Sequence, residues 1–262
     1  MEYNNYDINE VHSKLTEMLK ELLDFFDKEN IRYVAIGGTA LGAYRHSGYI
    51  PWDDDVDLAI PRDDYERMIK LAPKFPKSLF LQNYLTDSGF HLFFSKVRLN
   101  NTTFVEERFE HSEMHQGLFI DILPMDKNTT KADDKAVFDI TNAFSRRVKP
   151  YPGLLGSLRK TIYTLVYPHP LKTYQKVNEC MAKYNDQKPV SWSTMGHEDS
   201  FLEEDIFPAK ELDFDGLKLK VPKNIIGYLS SKYGPNYMTP PPVEKRTPPH
   251  KIIEVDLTQG LR

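Results

Sequence analysis

Leu15, Met18, Leu19, Leu22 and Phe26 recur at three- and four-residue intervals, so residues 11–26 predict an amphipathic helix with one buried face. Residues 34–36 read as a short buried strand, Gly37 and Gly38 punctuate it, and residues 39–45 have the spacing of a second, short helix. After a loop at 47–52 a further strand follows, and residues 63–71 predict a helix whose acidic start suits the positive end of its dipole. Residues 80–84, 93–97, 103–107 and 118–123, rich in aromatic and branched side chains, predict four more strands. From about residue 131 the pattern turns helical. Residues 212–221, centred on Asp215 and Gly216, predict a β-hairpin, and the prolines at 240–242 and 248–249 predict an extended C-terminal path. Both helices and strands are predicted, and the chain is expected to be an α+β protein with a core over residues 1–126 and a helical and hairpin region over 127–262 packed on it.

The strand after the loop carries the densest chemistry. Side chains alternate along a strand, so Asp55 and Asp57 point to one face with Cα atoms about 6.5 Å apart. Two such carboxylates repel unless a cation sits between them, and hard oxygen ligands suit Mg²⁺ or Mn²⁺. The Gly37–Gly38 pair lets backbone N–H groups and a helix N-terminus approach an anion. Phosphate and metal are expected in one place, although DDDVD alone also describes a solvated turn. Asp53 and Asp54 are loop charges, a strand flank, or groups that hold the metal-binding pair in place. Thr39 is a helix N-cap or a phosphate-binding hydroxyl.

The run GGTALGAYRHSGYIPWDDDVDLAIPRDDYERM resembles the signature of the LicD family, related to fukutin and fukutin-related protein. The resemblance continues through FSKVRLNNTTF, GLFIDILPMD and a late stretch from ELDFDG to VEKR, covering roughly residues 10–250. It implies a nucleotidyltransferase fold, a mixed sheet flanked by helices with a mainly helical C-terminal extension. It also implies transfer of a phospho-alcohol group, such as phosphocholine or ribitol or glycerol phosphate, from a CDP-activated donor to a glycan hydroxyl. The family's metal-binding carboxylates fall on Asp55 and Asp57, with Asp121 as the third acidic residue. Asp121 shares a strand face with Phe119 and Leu123, where an uncompensated charge is expensive; a cap on the turn at Pro124 is its plainer role.

Basic and aromatic residues near these motifs are candidates for holding the donor. Lys96 and Arg98 alternate on one strand face, toward the metal or toward solvent. Arg45 and His46 precede the acidic strand. Trp52 can stack on a base, meet a quaternary ammonium, or belong to the core.

Composition narrows the alternatives. With 262 residues, 40% hydrophobic, the chain can bury a substantial core. A net charge of −4 argues against a broadly basic nucleic-acid surface, so no nucleic-acid partner is expected. A single cysteine, Cys180, provides no disulfide framework and no thiolate metal cluster. The polar N-terminus has no apolar signal core, and no apolar run is long enough to cross a bilayer, so a cytoplasmic protein is expected. One segment complicates this. Leu154, Leu155, Leu158, Ile162, Leu165 and Val166 mark one face of a helix at 153–167, with Arg146, Arg147, Lys149, Arg159 and Lys160 nearby. The spacing favours a helix packed on the core, and the charges suit peripheral contact with a membrane bearing a lipid-linked glycan acceptor.

The expected chemistry is metal-assisted in-line attack at the phosphorus bearing the alcohol, releasing CMP. Asp121 completes the metal site and orients or deprotonates the acceptor hydroxyl. A nucleotidyltransferase moving NMP from an NTP is the nearest enzymatic alternative, and a non-catalytic glycan-binding or assembly protein the alternative of another class.

Overall fold

Asp7 caps the first helix, α1 (Ile8–Lys28), by accepting the Asn9 N–H, and Val11, Leu15, Met18, Leu19, Leu22 and Phe26 bury its predicted face. The computed structural model describes residues 6–128, 130–150, 153–194 and 200–258. Next come β1 (Val34–Ala35), α2 (Gly37–His46), β2 (Asp57–Pro61), α3 (Arg62–Lys70), β3 (Leu79–Gln82), β4 (Ser95–Leu99), β5 (Thr103–Glu106) and β6 (Phe119–Lys127). Three helices come after β6, α4 (Lys131–Val148), α5 (Gly153–Val166) and α6 (Pro170–Met181). The chain then returns through β7 (Ser191–Thr194), β8 (Ser200–Leu202), α7 (Glu203–Ile206), β9 (Lys210–Phe214), β10 (Leu217–Val221), α8 (Ile225–Tyr233) and β11 (Ile252–Asp256).

The sheet is mixed, in the order β1-β2-β6-β4-β3, with β7 also paired to β6 and β8 to β7. Among the described residues only β2 and β6 run parallel; every other pairing in the sheet is antiparallel. This is the expected α+β class. The turn expected at Pro124 is absent, because β6 continues through it to Lys127. Proline lacks an N–H for the ladder, yet Pro124 falls where that edge of β6 changes partner. Ile122 still faces Ser95 of β4, and Met125 already faces Thr194 of β7.

The boundary drawn at residue 126 therefore lies inside a strand, and much of the chain beyond it rejoins the first core. Phe214, Leu219, Val221 and Leu229 bury into the same cluster as α1 and the sheet, and β11 pairs with β5. Asp215 and Gly216 both take positive φ, +45° and +81°, and turn the predicted hairpin β9–β10. Asp215 accepts the Tyr49 N–H and its own N–H reaches the Ser47 carbonyl, so the hairpin braces the loop before the acidic run.

Helices α4 and α6, with Phe93 from the segment before β4, build a smaller core from Phe93, Phe144, Tyr174, Val177 and Met181. Thr130 and Asp133 form a reciprocal capping box at its start. Arg62 ties this excursion to the sheet, with both carboxylate oxygens of Asp126 at 2.8 and 2.6 Å and Asn178 Oδ1 at 2.9 Å. The expectation that residues 153–167 pack on the core is corrected here. Their helix, α5, buries only Gly156, and its leucine-rich face is exposed.

Candidate active site

The parallel pairing of β2 with β6 sets Asp57 directly beside Asp121, and the antiparallel pairing of β6 with β4 sets Asp121 beside Lys96. Three neighbouring strands thus bring two carboxylates and an ammonium together. Asp55 joins them from the extended lead-in to β2, which begins at Asp57 rather than at the residues before it. Carboxylate oxygens of Asp55, Asp57 and Asp121 lie within 4.8 Å of one another. Lys96 Nζ is 2.7 Å from Asp121 Oδ1 and 3.6 Å from Glu106, and 3.3 Å above the Phe119 ring centroid.

Burial sets the electrostatics. It pushes Asp57 well above the ordinary carboxylate range, and Asp55, Asp121 and Asp53 push it further. Asp55 rises to about 6, mainly through burial; the charge of His250 opposes the rise, and those of Asp121 and Asp54 add to it. Asp53 rises to about 8, again mainly through burial, with Asp55 and Asp54 contributing. Lys96 moves the other way: burial lowers it, against the attraction of Asp121 and Glu106. When ionised, three carboxylates beside one lysine that also faces Glu106 carry an excess of negative charge, which a divalent cation would offset. Hard oxygen donors at this spacing fit Mg²⁺ or Mn²⁺.

Around this cluster the chain builds supports. Asp54 is fully buried and accepts hydrogen bonds from the Tyr6 hydroxyl at 2.8 Å and from His250 Nδ1 at 2.8 Å. His250 Nε2 lies 3.6 Å from Glu106, so one imidazole bridges the acidic run and β5. Burial alone would lower its pKa, but Asp54 and Asp55 raise it. Asp53 sits over the start of α2: a Cβ on Gly38 would fall 2.3 Å from its Oδ2, so glycine is what permits the approach.

Residues 30–150 match the family described as LicD/FKTN/FKRP, nucleotidyltransferase domain. The chain carries a LicD-family domain. Over 52 residues it is 46% identical to lipopolysaccharide cholinephosphotransferase LicD of Haemophilus influenzae, a segment covering 18% of this chain and 20% of that protein. Over 50 residues it is 42% identical to human ribitol 5-phosphate transferase FKRP, covering 19% and 10%. An uncharacterized protein of Rickettsia prowazekii, RP689, is 36% identical over 70 residues, covering 27% and 26%. These matches span about a quarter or less of each relative's length.

Within the LicD domain the residues singled out in the sequence separate into two groups. Asp55, Asp57, Asp121 and Lys96 converge, with Gly37 and Gly38 opening α2 beside them: a Cβ on Gly37 would lie 2.9 Å from Asp57 Oδ2. Other residues are engaged elsewhere. The Gly37 N–H donates to the Tyr228 hydroxyl at 2.7 Å, and the Thr39 hydroxyl accepts the Asp57 N–H at 2.8 Å, fastening α2 to β2. Arg98 shares the face of Lys96 and, like it, is buried. Its Nε donates to Gln82 and its Nη1 to the Gly117 carbonyl, so it supports the platform under Phe119 instead of reaching out as a phosphate fork. Arg45 donates to the Tyr237 carbonyl at the far end of α2, and Trp52 has the Arg246 guanidinium 5.2 Å from its ring centroid.

Tyr6, Glu106, Tyr228, Arg246 and His250 were not singled out in the sequence. Their partners lie far along the chain, from 10 residues for Glu106 and Lys96 to 196 for His250 and Asp54, and none sits in a periodic pattern that marks it. Pro248 and Pro249 were the one available signal, since they stiffen the approach that delivers His250.

Proposed function

We propose that this chain is a metal-dependent transferase that moves a phospho-alcohol group, choline or ribitol phosphate in type, from a CDP-activated donor to a glycan hydroxyl. The observation that carries this reading is the convergence of Asp55, Asp57 and Asp121 at the opening turn of α2 within a LicD domain. The relatives' names support the group transferred: one is a cholinephosphotransferase, another a ribitol 5-phosphate transferase.

Asp55, Asp57 and Asp121 would hold the cation, which when bound supplies charge neutralisation for the donor's diphosphate. Lys96 fixes the Asp121 carboxylate, and the buried Asp54–His250–Tyr6 contacts fix the approach of the acidic run. With the Gly37 N–H held by the Tyr228 hydroxyl, the first turn of α2 would offer its remaining positive end to phosphate oxygens. In the reaction, the acceptor oxygen forms a bond to the phosphorus bearing the alcohol. The bond from that phosphorus to the bridging oxygen breaks, and CMP leaves with the electron pair. The hydroxyl proton passes to a carboxylate of the cluster, the part expected of Asp121.

Asp57→Asn and Asp121→Asn test the assignment. Both variants are expected to fold, to lose turnover of a CDP-alcohol by at least about a hundredfold, and to gain nothing from added Mn²⁺. Turnover near that of the parent protein, or full activity of the parent after rigorous chelation, contradicts the reading.

A further inference from the structure

We infer that α5 docks the protein on an anionic lipid surface. A helix of a globular protein ordinarily turns its apolar stripe inward. Helix α5 does the reverse. Leu154, Leu155, Leu158, Ile162, Leu165 and Val166 lie within about 120° of its circumference, and their exposures are 92, 79, 58, 49, 76 and 59%. The opposite side faces the protein: Gly156 is buried, and Lys160 Nζ donates to the carbonyls of Arg147 and Val148 at the end of α4. Arg147 donates in turn to the Tyr167 carbonyl just past the end of α5. The helix is therefore fastened by its polar side with its greasy side outward.

Charge identifies the occupant. Between Asp139 and Glu179 the sequence contains no acidic residue, while Arg146, Arg147, Lys149, Arg159, Lys160, Lys172 and Lys176 all fall there, in a chain whose net charge is −4. Arg147 and Lys160 turn inward, but Arg146, Arg159, Lys172 and Lys176 are exposed. Arg159 stands at the border of the apolar stripe, where a long side chain can keep its charge at a headgroup while its stem lies along the stripe. A second copy would set this basic surround against itself across a two-fold axis, which like charges oppose. An anionic bilayer neutralises it and accepts the leucines. The helix has 14 residues, and among the described residues no helix is long and apolar enough to cross a membrane, so α5 lies along the surface. Lipid docking by this face is independent of the transferase reading.

The full chain should cosediment with phosphatidylcholine vesicles containing roughly a third phosphatidylglycerol and not with phosphatidylcholine alone. The pair Leu158→Glu and Ile162→Glu should lower that partitioning about tenfold or more, with the melting temperature unchanged because both side chains are exposed. Arg146→Gln with Arg159→Gln should also weaken it. The inference is overturned if the parent protein ignores anionic vesicles or binds neutral ones equally well. It is overturned too if the glutamate pair destabilises the fold. A concentration-dependent dimer on size exclusion that the glutamate pair disperses would make the face a contact between copies instead.

Discussion

Asp55→Asn is expected to stabilise the metal-free protein while removing its response to metal. The substitution keeps the shape of the side chain and deletes its charge. Burial is the chief reason the carboxyl rises from its ordinary 3.8 to about 6 in the folded chain. A group whose folded pKa is raised binds its proton more tightly folded than unfolded. Its stabilising contribution is full below pH 3.8 and is lost as pH climbs through 6. Above that range the ionised carboxylate costs about 3 kcal/mol. At pH 8 in EDTA the variant should therefore melt higher than the parent, by about 6 to 12 °C at 2–4 °C per kcal/mol. Near pH 4 the two should nearly coincide. Millimolar Mn²⁺ at pH 8 closes the gap: a ligand at a hundredfold its Kd adds about 2.7 kcal/mol to the parent, and the variant, short of one ligand, gains little. Paired thermal melts by circular dichroism, with EDTA and with Mn²⁺ at both pH values, read all of this. A variant that melts below the parent in EDTA at pH 8 would refute the reasoning, as would a parent indifferent to Mn²⁺.

Two further substitutions separate support from chemistry. Arg62→Ala strips the partner from a buried Asp126 and should cost about 3–5 kcal/mol, read in chemical denaturation; a loss below about 1 kcal/mol would mean the pair does not anchor α6 to the sheet. Gly38→Ala places a methyl 2.3 Å from Asp53 Oδ2 and must displace that carboxylate, so kcat/KM for the donor should fall about tenfold or more. Unchanged kinetics would remove Asp53 and the first turn of α2 from the site.

Much of the catalytic half was legible because its information is local. Helix α1 declares itself by period, the hairpin by Asp215–Gly216, and the carboxylates by alternation beside a glycine pair. The strand register that joins Asp57 to Asp121 and Asp121 to Lys96 is not local, and only the folded sheet supplies it. What escaped was decided by partners distant in sequence. Arg98 reads like Lys96 along β4, and only Gln82 and the Gly117 carbonyl reveal that it is engaged. His250 lies on an extended, proline-rich path without periodicity, so nothing nearby announces that it meets Asp54. For α5 the spacing defined a face correctly but not what the face meets, because a periodic stripe is equally consistent with core, lipid or a partner. Pro124 misled for the opposite reason: a residue that usually ends a strand sits where the ladder changes neighbours.

Product analysis tests the central claim most directly. The purified protein, incubated with Mg²⁺, a panel of CDP-alcohols and a glycan acceptor, should form a phospho-alcohol adduct on the glycan and release CMP in equal amount, resolved by mass spectrometry. Pyrophosphate release from an NTP with a nucleotidylated acceptor, and no CMP from any CDP-alcohol, would contradict it.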